Sequence, residues 1–185
     1  MLGSRDPLPH RPQRILIAGV TGAGKSTLAR RIAAQLEIHY TEIDSLFHGP
    51  NWTRRDEFLT DVDSATSQAS WVTEWQYASA RPRLVQRADT LIWLDHSVPI
   101  SLGRLIRRTI RRGRTREVLW NGNIEPPLHR IFLDKENIIR WALATQFMYK
   151  RVIPALADDQ PHLQVIRLRS QRGVDRWMSG PLASL

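Results

Sequence analysis

No cysteine occurs in the 185 residues, which excludes disulfides and thiolate metal sites. Lysine is nearly as scarce: Lys25, Lys135 and Lys150 stand against twenty-four arginines. Long apolar runs are also missing. No stretch approaches the roughly 18 residues of a membrane span, and residues 1–13 lack the apolar centre of a signal peptide. The expectation is a cytoplasmic protein with no membrane partner. Net charge is +9, carried by arginine, whose planar fork grips phosphate oxygens in pairs. That surplus predicts an anionic ligand, with nucleic acid as the competing reading. The length suits one α/β domain with a full core, residues 14–185, behind a proline-bearing leader, residues 1–13, expected as a flexible tail.

One motif is present without interruption. Gly19-Val20-Thr21-Gly22-Ala23-Gly24-Lys25-Ser26 follows the apolar segment Arg14-Ile15-Leu16-Ile17-Ala18 and opens into a helical pattern beginning Thr27-Leu28-Ala29. A strand, a glycine-rich turn and a helix in this order form a phosphate-binding loop. The glycines let successive N–H groups of Gly19, Thr21, Gly22, Ala23, Gly24 and Thr27 turn toward phosphate oxygens, at the positive end of the helix dipole. Lys25 then reaches the β- and γ-phosphates, and the Ser26 hydroxyl ligates Mg²⁺. ATP and Mg²⁺ are the cofactors this predicts.

The rest of the chain alternates short apolar segments with helical patterns. Strands are predicted at 14–18, 38–43, 71–73, 90–94 and 162–168, with helices near 25–36, 54–69, 80–88, 100–112, 134–157 and 173–178. Such alternation indicates a parallel sheet covered on both faces. Ligands of such sheets lie beyond the carboxyl ends of the strands, where Asp44, Glu74 and Asp95 fall.

A phosphate loop, acids after strands two and three, and a strand-four Leu94-Asp95 followed by spaced arginines resemble the nucleoside-monophosphate-kinase branch of P-loop proteins. Adenylate, shikimate and gluconate kinases belong to that branch. The chain is most similar to the adenylate-kinase-like group labelled topology modulation proteins, from Arg14 to about Met178. The resemblance implies a P-loop NTPase three-layer sandwich, an α/β fold with a five-stranded sheet of order 2-3-1-4-5 flanked by helices. It also implies an Arg-rich lid at about 113–133. In this branch the acid closing the third strand supports Mg²⁺ through water, here Glu74; Asp95 is the second choice, with helix capping as its other role. The stretch from Asp44 to Trp52 resembles an acceptor-binding segment. Asp44 would orient or deprotonate the acceptor hydroxyl, or else cap a helix; His48 would hydrogen-bond the acceptor; Trp52 would wall its pocket. Arg104 and Arg108 reproduce the spacing after Leu-Asp that leads into the adenylate-kinase lid, so they would act on the transferring phosphoryl group. Arg169 would lie in the adenine-wrapping loop.

The chain also departs from the family. Adenylate kinases carry Asp-Gly-Phe-Pro-Arg after strand three, and here the residues are Glu74-Trp75-Gln76-Tyr77. The arginine that grips a monophosphate acceptor is absent from its usual place. Arg54, Arg55, Arg81 and Arg83 are the substitutes, and no spacing selects among them. The function this predicts is a kinase that transfers the γ-phosphoryl group of ATP to a nucleoside, nucleotide or hydroxylated metabolite. The alternative is a nucleotide-dependent regulator that binds nucleic acid through Arg107 to Arg116.

Overall fold

The computed structural model describes residues 1–124 and 135–185; within the helix that starts at Lys135, side chains are described at Thr145 and from Phe147 onward. Five parallel strands form one sheet: β1 (Arg14–Gly19), β2 (His39–Tyr40), β3 (Trp71–Glu74), β4 (Thr90–Leu94) and β5 (Gln164–Leu168), in the order β2-β3-β1-β4-β5. Between them run α1 (Lys25–Leu36), α2 (Ile43–Phe47), α3 (Phe58–Ala65), α4 (Arg81–Arg87), α5 (Val98–Thr115) and α6 (Lys135–Asp159), and α7 (Gln171–Ser179) follows β5. Every residue of β3 and β4 is buried, as is β1 after Arg14. Strands covered on both faces read as unbroken apolar runs, and this is why Ile15-Leu16-Ile17-Ala18 and Leu91-Ile92-Trp93-Leu94 stand out in the sequence. Trp71, Trp93 and Trp177 are almost wholly enclosed. Each removes on the order of 200 Å² from water, about 5 kcal/mol of apolar transfer before entropy is counted.

The order places β3 and β4 on either side of β1, with Ile17 opposite Glu74 and Gly19 opposite Leu94. Both flanking strands therefore end beside the phosphate loop.

Several elements differ from the sequence expectation. The second strand stops at Tyr40, because Thr41 gives its last sheet bond to Val72 and the chain then turns at Glu42 into α2. Asp44 consequently sits in the first turn of a helix and not at a strand end. The third helix is shorter than predicted, and α5 runs on to Thr115, through the start of the proposed lid. The leader is no loose tail: Leu2 N donates to Val165 O and Arg167 N donates to Leu2 O, both at 2.8 Å. β5 is an edge strand whose outer amides need partners, and Leu2 supplies them. Leu8 packs against the core below it. No helix among the described residues is long and apolar enough to cross a membrane.

Candidate functional site

A cleft of about 1000 Å³ opens over the carboxyl end of β1, and the predicted phosphate-loop residues Gly19, Thr21, Gly22, Ala23, Gly24, Lys25, Ser26 and Thr27 line it. Gly22 (φ 82°) and Gly24 (φ 99°) hold left-handed backbone, and a Cβ on Gly22 would lie 2.2 Å from Ser101 O of α5. Only glycine allows the loop to bend there with α5 pressed against it. The Lys25 ammonium is folded back into the loop and donates to Gly19 O (3.0 Å) and Val20 O (3.4 Å). Burial lowers its pKa from 10.5 to about 8; the carboxylates of Glu74 and Asp44 oppose that shift, and the cations Arg108 and Arg81 add to it. Two acids and two arginines thus face one buried lysine.

Glu74 is 2% exposed. Its Oε1 accepts from the Tyr40 hydroxyl (2.6 Å), its Oε2 from Ile43 N (3.1 Å), and the Ser26 hydroxyl reaches the same carboxylate. Burial raises its pKa, and these three hydrogen bonds counter the rise. Three of the four lone-pair sites of the carboxylate are thus used, and one is left for a water or a cation shell. Among the described residues no cluster of three or more His, Cys, Asp or Glu converges on a metal position. A hydroxyl, one carboxylate and phosphate oxygens nevertheless suit Mg²⁺, which keeps several of its waters.

Asp95 has a different partner. Its Oδ2 accepts from Arg167 Nε (2.9 Å) and Nη2 (2.5 Å), and the Arg167 guanidinium lies 4.5 Å over the Trp93 ring. It does not cap α5, whose N-cap is Ser97.

On the opposite wall, Asp44 Oδ1 accepts from Gln76 Nε2 (2.9 Å) and the Tyr77 hydroxyl (2.6 Å). Asp44, Gln76 and Tyr77 all line the cleft. Burial, then the Asp44 charge, raises the Tyr77 pKa, so the phenol stays protonated and donates. His48 stands behind this group: its Nε2 lies 3.2 Å from the Tyr77 oxygen, and with the phenol proton already committed to Asp44, the imidazole N–H is the donor. His48 is absent from the cleft lining, whereas Trp52 is part of it.

Arg104 and Arg108, one turn apart on α5, both line the cleft. Arg104 donates to Ala23 O (3.2 Å), to Gln171 Oε1 (3.0 Å) and to Nδ1 of buried His96 (3.3 Å). Burial first, and Arg104 second, lower the His96 pKa, which suits a neutral acceptor. Arg107, Arg111 and Arg112 also line the cleft, although Arg107 and Arg111 are exposed and Arg111 and Arg112 pair with Glu117; Arg114 and Arg116 are exposed and outside the lining. Arg169, expected at the nucleotide, is exposed and outside the lining, and Gln171 and Val174 take that place.

The proposed lid divides. Residues 118–124 form a small turn closed by the bridge Val118–Ile124. They dock on the acceptor segment: Asn123 Nδ2 donates to Gly49 O, Trp52 N donates to Asn123 Oδ1, and Asn121 Nδ2 donates to His48 O. Residues 125–133 lie outside the described residues. Gln76, Tyr77, His96 and Trp120 carry no motif of their own, and only their position next to Glu74 or Asp95, or within the lid, points to them.

No family model matches the chain. Its fold, however, has close counterparts. A gluconokinase from Sinorhizobium meliloti 1021 superposes with a TM-score of 0.53 at 17% identity, over 95% of this chain and 94% of that one. A shikimate kinase from Acinetobacter baumannii, solved in complex with shikimate, gives 0.55 at 17% identity, over 90% and 89%. The chain has the P-loop kinase fold. In sequence it is similar to the bifunctional pantoate ligase/cytidylate kinase of Synechococcus sp. (strain JA-2-3B'a(2-13)), 28% identical over 143 residues, 59% of this chain and 26% of that protein. The chain thus spans about a quarter of that curated relative.

Proposed function

We propose that this protein is an ATP-dependent P-loop kinase that transfers the γ-phosphoryl group to a hydroxyl of a small-molecule acceptor. The observation that carries the reading is the meeting of Lys25, Asp44 and Arg108 in one cleft above the phosphate loop, with the buried Glu74 carboxylate acting on Lys25 from behind that lining. In this reading the loop amides and Lys25 hold the β- and γ-phosphates, and Ser26 with Glu74 would hold Mg²⁺. Bound there, Mg²⁺ neutralises phosphate charge. Asp44, kept in orientation by Gln76 and Tyr77, accepts the acceptor's hydroxyl proton. The acceptor oxygen then bonds to the γ-phosphorus as the bond to the bridging β–γ oxygen breaks, and ADP leaves. Arg104 and Arg108 stabilise the charge that spreads over the equatorial oxygens. Trp52 walls the acceptor, His48 acts through Tyr77, and residues 118–124, docked on the acceptor segment, belong to the lid. Residues 14–185 form the kinase domain, and reliance on ATP suits a cytoplasmic setting.

Four of the Arg107–Arg116 cations, Arg107, Arg108, Arg111 and Arg112, line the cleft, which favours a phosphate ligand over a nucleic-acid surface. The test is ADP release in the presence of nucleosides, nucleoside monophosphates and sugar acids, with Lys25→Met as control. Acceptor-dependent release that the variant lacks is expected. Absence of any ATP-induced thermal shift into the millimolar range would defeat the proposal, since a ligand specific to the folded state must stabilise it.

A further inference from the structure

Among the four arginines that stand in for the missing acceptor arginine, the structure separates one. Arg55 pairs with Asp61, Arg83 pairs with Asp63, and Arg54 is exposed over the Phe47 ring. Arg81 lines the cleft and forms no ion pair with any described residue.

Arg81 owes its position to the loop after β3. Tyr77 takes left-handed backbone (φ 57°), and Ala80 N and Arg81 N both donate to Tyr77 O, so the chain turns sharply and α4 begins at Arg81. Pro82 follows in the first turn, where its missing N–H costs nothing. The guanidinium lies 4.7 Å over the Trp75 ring and 5.4 Å over the Tyr149 ring, and Nη2 donates to the Tyr149 hydroxyl at 3.2 Å. Its other contact is a long one, Nη1 to Met148 Sδ at 3.7 Å. Nε is buried and donates to no described residue. Among the described residues this guanidinium is ordered against two aromatic rings, has a donor unused and pairs with no carboxylate, so it is preorganised for an anion from outside the protein.

We infer that Arg81, seated on Trp75 and Tyr149, binds an anionic group of the acceptor, a carboxylate or a phosphate, while Asp44 handles the hydroxyl. This rests on the kinase reading above. The Gln76–Tyr77 loop links the two positions: its side chains hold Asp44, and its backbone starts the helix that carries Arg81. An anion next to Asp44 would otherwise be repelled, and Arg81 offsets that repulsion. Neutral polyols and free nucleosides leave Arg81 unmatched, so the site selects against them.

Two matched pairs test this: CMP against cytidine, and gluconate against glucose. Each is titrated calorimetrically into wild type, Arg81→Gln and Arg81→Lys, and each is also assayed for ADP release with ATP. Wild type should bind at least one anionic member roughly tenfold or more tighter than its neutral partner. CMP alone identifies a phosphate, and gluconate alone a carboxylate. Arg81→Gln should bring that ratio to about two or less with ATP affinity intact, and Arg81→Lys, which keeps the charge without the fork, should keep part of it. Should Arg81→Gln melt early, Arg81→Lys decides, with a ratio reduced about threefold or more.

Equal binding of neutral and anionic members, binding of none of the four, a ratio that survives in Arg81→Gln, or a loss of ATP affinity in its place would each overturn the inference. Arg81-dependent anion binding without ATP binding would leave the subsite standing and refute the kinase. ADP release whose acceptor preference ignores Arg81 would do the reverse.

Discussion

β3 ends in Glu74 and β4 is followed directly by Asp95, both acids with little exposure, and the two carboxylates have become different objects. Glu74 accepts from a phenol, a backbone amide and Ser26, all neutral donors, and its charge acts on Lys25. Asp95 is claimed by the guanidinium of Arg167, on the strand beyond it. The difference comes from sheet order. β2 and α2 border β3 and bring neutral donors, whereas β5 borders β4 and brings a cation. An acid whose charge is already matched by a fixed partner is poorly placed to serve a metal. An acid held only by neutral donors still has its charge to give.

Four perturbations press on that contrast, from the largest effect downward. Lys25→Met removes the charge that Glu74 and Asp44 both face, and turnover should fall about a thousandfold or more, measured as ADP release. Asp44→Asn should lower kcat about a hundredfold while leaving the ATP dissociation constant within about twofold, because the interaction it removes belongs to the acceptor. Equal losses in both constants would return Asp44 to a structural role.

Asp95→Asn should instead act on stability. Arg167 would lose its charge partner in a half-buried site, costing about 1–3 kcal/mol in chemical denaturation, while turnover stays within about twofold. The smallest effect is a pH dependence. Burial holds Lys25 near pKa 8 in the folded chain against 10.5 when unfolded. Between those values the unfolded state binds the extra proton, so ligand-free wild type should gain stability relative to Lys25→Met as pH rises from 8 to 10.5. Below pH 8 the full burial cost remains, and the variant should be the more stable protein. Melting curves of both proteins at pH 7, 9 and 10 check the sign.

What could be read from the sequence follows range of interaction. β1, the phosphate loop and α1 are contiguous, so an eight-residue motif and the apolar run before it locate them. β4 announces itself because both its faces are buried. β2 was overestimated because nothing local says that the chain must leave the sheet at Glu42 to start α2. Leu2 escaped notice because its partners are the amides of β5, at the far end of the chain. The same limit governs the site. Arg167 is 72 residues from Asp95, and Asn123 is 74 from Gly49. The choice of Arg81 among four arginines likewise depends on Tyr149, 68 residues away. Composition and spacing carry no trace of such pairs, although the family resemblance did imply the strand order that sets β3 and β4 on either side of β1.

Calorimetric ATP affinity with and without Mg²⁺, for wild type, Glu74→Gln and Asp95→Asn, tests the proposed binding of ATP above the phosphate loop with Mg²⁺ supported by Glu74. Wild type and Asp95→Asn should each gain about tenfold or more from Mg²⁺, and Glu74→Gln about threefold or less. A Mg²⁺ response preserved in Glu74→Gln and lost in Asp95→Asn would contradict it.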